Sequence, residues 1–119
     1  MSPNEIASRL ASLCRQGKFE QAQRELFADD AISIEPHASP AFEKETKGLD
    51  AIIEKGKKFE SMTRELHEVT ISDPIVAGNA IAFKLMMMIT MKDRPKEAWE
   101  EICLYQVNDG KIISEEFFI

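Results

Sequence analysis

Residues 27–36 read Phe-Ala-Asp-Asp-Ala-Ile-Ser-Ile-Glu-Pro, and they decide the expected fold. We interpret them as a helix end, an Ala-Asp-Asp turn and a short strand. Because side chains alternate across a strand, the two isoleucines share one face while Ser33 and Glu35 share the other. Pro36 has no N–H to donate, so the strand should stop there. The Glu35 carboxyl group is therefore held at a strand end and can be aimed into a cavity, unless the isoleucines claim the inner face and turn it outward.

The composition predicts a single domain over residues 1–119 with a hydrophobic core. A net charge of -6 argues against a nucleic-acid partner, which would need clustered basic residues. No apolar run approaches the ~20 residues that cross a bilayer, so we expect no membrane partner. Cys14 and Cys103 fit neither a metal-binding nor a redox spacing, and we expect free thiols in a reducing cytoplasm. No metal and no cofactor are expected.

The order of the predicted elements indicates an α+β fold. Ser2 and Glu5 form a capping box at the start of the first helix, a second helix covers residues 18–27, and Gly48 opens a third after a polar loop. After Met62 the apolar period changes from 3.6 to 2. Strands are predicted at residues 64–72, 79–91, 97–107 and 111–119. We expect N-terminal helices packed on one face of an antiparallel sheet.

The long strand at residues 79–91 identifies the inner face of that sheet. Lys84 needs water, so we assign the odd-numbered, entirely apolar positions to the helix-covered side. If the loop after Met91 returns symmetrically, Met87 lies opposite Glu101 on the next strand. The inner face of the next strand is then Trp99, Glu101, Cys103, Tyr105 and Val107. A carboxyl group in that apolar setting should have a raised pKa or a partner, which would mark a functional site; the alternative is a solvated carboxylate at the sheet rim.

The final hairpin has two possible registers around its turn at residues 108–110. A two-residue turn directs Glu116 and Phe118 to the inner face. A three-residue turn, with its glycine in the left-handed conformation, directs Glu115 and Phe117 there instead. Alternation alone leaves both registers open.

The motif at residues 27–36 and the terminal Asp-Gly-Lys-Ile at 109–112 resemble the cone-shaped superfamily named for nuclear transport factor two. The resemblance covers the whole chain and is greatest to SnoaL-like proteins; ketosteroid isomerases belong to the same superfamily. It implies a cone-shaped domain, with N-terminal helices packed on a strongly curved antiparallel sheet. It also implies that Glu35, the carboxylate before a proline, is a proton-abstracting base. It also implies that Glu115 lines the pocket, which favours the second register and puts Phe117 opposite Glu101.

Two positions depart from the ketosteroid isomerase pattern. The oxyanion-donating tyrosine of those enzymes falls near Leu10, and their protonated aspartate falls at or beside Cys103. Glu101, two residues away on the same face, is only a loose substitute. True ketosteroid isomerase activity is therefore not expected, and the superfamily is functionally diverse.

The candidate site consists of three carboxyls and an apolar lining. Glu35, Glu101 and Glu115 are the candidate catalytic residues. His67 alternates with apolar residues on a strand and is a candidate for the lining, although a structural role is the simpler interpretation. The predicted lining is His67, Phe83, Met87, Trp99, Cys103, Tyr105 and Phe117.

The sequence predicts a protein that binds a small apolar organic molecule. If it is an enzyme, carboxylate proton transfer of an isomerase, cyclase or dehydratase type fits best. The competing interpretation is a non-catalytic ligand-binding or assembly module, with a cone filled by Trp99, Phe83 and Phe117. The outer face of the sheet is too apolar for water, which predicts a homodimer through it. That apolar set is Ala82, Met86, Met88, Ile102 and Leu104.

Overall fold

The computed structural model describes residues 1–119, and its helices and strands follow the predicted order closely. The helices are α1 (Pro3–Arg15), α2 (Phe19–Leu26) and α3 (Leu49–Met62). The strands are β1 (Phe27–Ile34), β2 (Glu45–Lys47), β3 (Thr63–Ile71), β4 (Ile75–Ala77), β5 (Ala80–Met91), β6 (Glu97–Asn108) and β7 (Lys111–Phe118). None of the helices is both long and apolar enough to cross a membrane.

The helix starts follow from the local sequence. At α1 the Ser2 Oγ accepts a hydrogen bond from the Glu5 N–H at 3.2 Å, and the Ser2 N–H donates to the Glu5 carboxylate at 2.9 Å. This capping box satisfies two N–H groups that the helix leaves free. Gly48 precedes α3 with φ +95°, a conformation that favours glycine.

The seven strands form one open sheet in the order β2-β1-β7-β6-β5-β3, with β4 paired to β5. The α+β fold class is confirmed, but the sheet is mixed, whereas a wholly antiparallel sheet was expected. β1 and β7 run parallel, so the last strand of the chain pairs with the first one. The apolar faces of the helices pack on the inner face of this sheet.

Residues 27–34 form one bulged strand, β1, and the Ala-Asp-Asp turn expected within them is absent. β1 runs through Asp29 and Asp30, and its pairing with β7 shifts register between Phe27 and Ile32. The following polar stretch, expected to be loop as far as residue 47, contains β2, which pairs with β1. Ser33 is fully buried, so the face that it shares with Glu35 is the inner one.

The β5–β6 pairing is shifted by two residues from the expected register. Glu101 lies opposite Leu85, and Trp99 takes the place opposite Met87. The symmetric return was wrong because β5 pairs with β6 only as far as Ile89, which lies opposite Glu97, and Met91 pairs only with β3 on the other edge of β5. A shift of two residues preserves the alternation, so every side chain keeps its predicted face.

The final hairpin combines features of both predicted registers. Asp109 and Gly110 have φ +50° and +73°, as a two-residue type I′ turn requires, and Val107 pairs with Ile112. One extra residue then enters β7 between Ile112 and Ser114, which is a β-bulge. The bulge reverses the alternation and turns the following odd-numbered residues inward.

The result of that bulge is an inward Glu115, opposite Tyr105. Phe117 also faces inward, but it lies opposite Cys103, and the expected pairing with Glu101 was wrong. The resemblance therefore predicted the correct face for Glu115, although it did so by favouring a three-residue turn that the chain does not have.

Candidate functional site

A cavity of about 490 Å³ lies between the inner face of the sheet and the helices. The strands β5, β6 and β7 line it from the sheet, and α2, α3, the α1–α2 connection and the segment after β1 line the rest. The lining side chains include Cys14, Phe19, Glu35, Phe42, Ile52, Ile53, Lys55, Phe59, Glu60, Phe83, Leu85, Met87, Trp99, Glu101, Cys103, Tyr105, Glu115 and Phe117.

The structure brings the three candidate carboxyls together in this cavity. Glu35 directly follows the end of β1, Glu101 lies in β6 and Glu115 in β7, and all three line the cavity. Six of the seven predicted lining residues are also there: Phe83, Met87, Trp99, Cys103, Tyr105 and Phe117.

His67 is the exception and lies outside the cavity. β3 carries a bulge between Leu66 and Glu68, so the alternation that would have aligned His67 with Val69 is broken. Its ring contacts Thr90 Oγ1 at 2.7 Å and the Glu65 carboxylate at 2.9 Å on the exposed side of the sheet. Both contacts are with residues of β3 and its neighbour β5.

Glu115 is the most deeply buried of the three carboxyls, with 5% of its surface exposed. It lies beside Ser33 on the neighbouring parallel strand. Burial raises the pKa of Glu115 to about 7, although the positive charge of Lys55 and a hydrogen bond from Ser33 oppose the shift. The negative charge of Glu35 adds to it. Near neutral pH, Glu115 is therefore divided between acid and carboxylate.

Glu101 has a similar pKa, but the groups that raise and lower it are partly different. Burial raises its pKa to about 7, and the negative charges of Glu35 and Glu115 contribute further. The charge of Lys55 and the Cys103 thiol, 3.9 Å from Glu101 Oε1, lower it by smaller amounts. Two buried carboxyls that cannot both ionise easily titrate as a coupled group.

Lys55 is the functional candidate that sequence reasoning missed. Its Nζ donates a hydrogen bond to Ser33 Oγ at 2.6 Å and lies 3.7 Å from Glu35 Oε1. The Lys55 side chain is 15% exposed and that of Glu35 is 25% exposed, so the ion pair is largely withdrawn from water. Helical spacing puts Lys55 in the apolar stripe of Ile52 and Phe59, and a lysine in that stripe was the available signal.

Aromatic rings form the apolar part of the wall. Trp99 packs on Phe59 with ring centroids 5.8 Å apart, and Tyr105 packs on Phe83 at 5.4 Å. Phe117 lies beneath the Lys55 ammonium, 5.7 Å from Nζ to the ring centre. These rings line the cavity without filling it.

The two cysteines are free and buried. Burial raises the pKa of the Cys14 thiol to about 12 and raises that of Cys103 as well. A thiol is nucleophilic only as thiolate, so neither is an activated nucleophile at neutral pH. His, Cys, Asp and Glu side chains form no group of three or more arranged to hold a metal ion.

The site therefore places the Glu35–Lys55 ion pair beside two carboxyl groups, Glu101 and Glu115, that gain or lose a proton near neutral pH. A general base and a general acid need different protonation states at the same pH, and unequal environments supply them. The surrounding wall is apolar, which suits an organic ligand with few polar groups.

Comparison with known proteins identifies the family. Residues 1–119 match the SnoaL-like domain. A Mesorhizobium loti protein, provisionally named a SnoaL-like polyketide cyclase and, in brackets, a carbohydrate phosphatase, is 28% identical, with a TM-score of 0.92 over 100% of both chains. No match was found among proteins of curated function.

Two more distant structures share the fold and hold small molecules. A Mycobacterium tuberculosis protein in complex with estradiol-17beta-hemisuccinate is 22% identical, with a TM-score of 0.75 over 100% of this chain and 95% of that one. TerC, co-crystallised with polyporic acid, is 14% identical, with a TM-score of 0.80 over 99% of this chain and 92% of that one. The whole-length match and the shared fold lead to one conclusion: this chain belongs to the SnoaL-like domain family.

Proposed function

We propose that this protein binds a small apolar organic molecule in the cavity and moves a proton on it, with Glu35 as the base. Glu101 or Glu115 supplies the acid or orients the ligand. The observation that carries the proposal is the meeting of three carboxyls from separate strands in one aromatic-lined cavity of about 490 Å³. Ligands in two proteins of the same fold support a small organic molecule as the partner.

The protonation states support a division of labour among the carboxyls. Glu35 forms an ion pair with Lys55, with 3.7 Å between Oε1 and Nζ, and a carboxylate in this position can serve as the base. Glu101, with a pKa of about 7, carries a proton for much of the time at neutral pH and can donate it. Proton transfer of this type underlies isomerisation, cyclisation and dehydration.

The competing function is a ligand-binding module without chemistry. The open cavity argues against the filled cone that such a module was expected to have, but an open cavity also suits simple binding. The two differ in one respect: an enzyme exchanges hydrogen at carbon on a bound ketone, whereas a binding module does not.

We also propose that two copies pair through the outer face of the sheet, in the cytoplasm. Ile102 and Phe118 are paired neighbours there, and each is about half exposed, at 45% and 46%. Light scattering should find a dimer at micromolar concentration, and Ile102→Lys should dissociate it by placing an unpaired charge in the interface. A wild-type monomer at that concentration would end this part of the proposal.

Trp99 offers a direct test of ligand binding because it is the only tryptophan and lines the cavity. Titration with 1-tetralone, a two-ring apolar ketone, should change its fluorescence saturably. Gly56 lines the same cavity, and a Cβ added there meets no atom within 4 Å. Gly56→Phe should fill the space and abolish the change, whereas Gly56→Ala should retain it. Equal responses from both variants would refute binding in this cavity.

A further inference from the structure

Lys55 has only an indirect part in the reaction proposed above, yet its ammonium group lies inside the cavity. The side chain reaches from α3 toward β1, where Nζ meets Ser33 Oγ at 2.6 Å and Glu35 Oε1 at 3.7 Å. The side chain is 15% exposed, so its charge acts where water screens weakly.

The ammonium group has donors to spare. A lysine ammonium carries three N–H bonds. The Ser33 contact uses one of them, while the Glu35 oxygen is at ion-pair distance, longer than a hydrogen bond. The next residue in the chain, Gly56, leaves open space on the same stretch of helix. A ligand oxygen in the cavity can therefore reach Nζ without displacing a hydrogen-bonded partner.

We propose that Lys55 is a catalytic residue that receives the carbonyl oxygen of the ligand and stabilises the negative charge which that oxygen gains when Glu35 removes a proton. This inference rests on the proposed function and narrows its substrate class. The ligand is an apolar carbonyl compound with a C–H bond next to the carbonyl group.

The step balances without any further reactant. The Glu35 carboxylate takes the proton from the carbon beside the carbonyl group. The C–H electron pair becomes a C=C bond, and the carbonyl π pair moves onto oxygen, giving an enolate. Return of the proton from Glu35 to that carbon restores the carbonyl group and exchanges its hydrogen. Where a C=C bond adjoins that carbon, the proton can instead return to the far carbon of the resulting dienolate, which completes an isomerisation.

The position of Lys55 suits the movement of charge in this step. Before the transfer the negative charge is on Glu35, and afterwards it is on the ligand oxygen. Lys55 lies beside Glu35, so a cation is in place at both stages. Glu101 and Glu115 also line the cavity, and both oppose an oxyanion when they are ionised. Of the two lysines in the lining, Lys18 and Lys55, Lys55 is the one that pairs with Glu35 and so offsets them where the proton moves.

A phenolate imitates the enolate because it places an oxyanion on an apolar ring. We would titrate wild-type protein with 4-nitrophenol at pH 6, where the visible absorbance of the ligand distinguishes phenolate from phenol. The wild type should bind the phenolate, so that the bound ligand ionises at lower pH than the free one. Lys55→Met should weaken phenolate binding by roughly 10- to 100-fold, the range for a charge-assisted hydrogen bond.

Matched variants separate this inference from the proposed function. Lys57→Met removes an exposed lysine of the same helix and should bind as the wild type does. Glu35→Gln removes the base and should retain phenolate binding while losing proton transfer. Phenolate binding unchanged in Lys55→Met would overturn the role of Lys55 alone.

Two further results complete the test. Failure of wild-type protein to bind the phenol in either form would overturn the proposed function and this inference together. Binding of the neutral phenol alone by wild-type protein would overturn the inference but leave the cavity as a ligand site. Lys55→Arg keeps the charge and should keep the preference for phenolate, which settles the question if the methionine variant does not fold.

Discussion

Glu115→Gln should change how the stability of this protein depends on pH. In the folded protein Glu115 has a pKa of about 7, whereas the pKa of an ordinary glutamate is 4.5. Unfolding therefore releases a proton between those two values. The contribution of Glu115 to stability is complete below pH 4.5, falls as the pH rises toward 7 and is constant above that.

The difference between a pKa of about 7 and the ordinary 4.5 corresponds to ~3 kcal/mol in the free energy of unfolding. That is a large part of the 5–15 kcal/mol typical of a domain. Glutamine keeps the size of the side chain but cannot ionise. The stability of Glu115→Gln relative to wild type should therefore rise by about 3 kcal/mol between pH 4 and pH 8.

Urea denaturation at a series of pH values measures this directly. The amide of the variant can pack differently beside Ser33, but that cost in the free energy of unfolding is the same at every pH. It therefore cancels when only the change with pH is compared. Glu116→Gln is the matched control because the neighbouring side chain lies on the other face of β7. A Glu115→Gln difference that stays constant from pH 4 to pH 8 would refute the burial argument.

Three smaller predictions follow from the local structure. Gly56→Ala should raise the free energy of unfolding by roughly 0.5–1 kcal/mol, because alanine loses less chain entropy in a helix and its Cβ meets nothing within 4 Å; a lower urea midpoint would contradict it. Ser2→Ala should cost about 1 kcal/mol by removing the acceptor for the Glu5 N–H, and an unchanged thermal midpoint would show that the cap is idle. Cys14 and Cys103 are 5% and 2% exposed, so an aromatic disulfide reagent at pH 8 should label them only as fast as the protein opens; rapid labelling of native protein would disprove their burial.

The faces of the sheet were predictable from the sequence, whereas its registers were not. Lys84 on one side of an apolar strand identified the inner face, and alternation then assigned Trp99, Glu101 and Cys103 to the cavity. Their cross-strand partners depended on how the chain returned after β5, whose pairing with β6 ends at Ile89, two residues before the strand does. Where such pairing ends depends on tertiary packing, and no local pattern in the sequence records it.

Bulges account for both the lost and the retained site residues. The bulge in β3 turns His67 out of the cavity, and the one in β7 turns Glu115 in. A single inserted residue reverses alternation, so prediction of the face beyond a bulge requires its position. Lys55 was missed for another reason: the third helix was assessed by its apolar residues alone, and the lysine among them was passed over.

The central claim is that Glu35 removes a proton from carbon inside this cavity. Its most direct test is exchange of hydrogen for deuterium beside the carbonyl group of 1-tetralone in heavy water, followed by NMR. Wild-type protein should accelerate the exchange above the buffer rate. Glu35→Gln should reduce that acceleration by roughly 10²–10⁴-fold, and Glu54→Gln, which alters an exposed glutamate of α3, should not. Equal rates for wild type and Glu35→Gln would contradict the claim and leave a binding module.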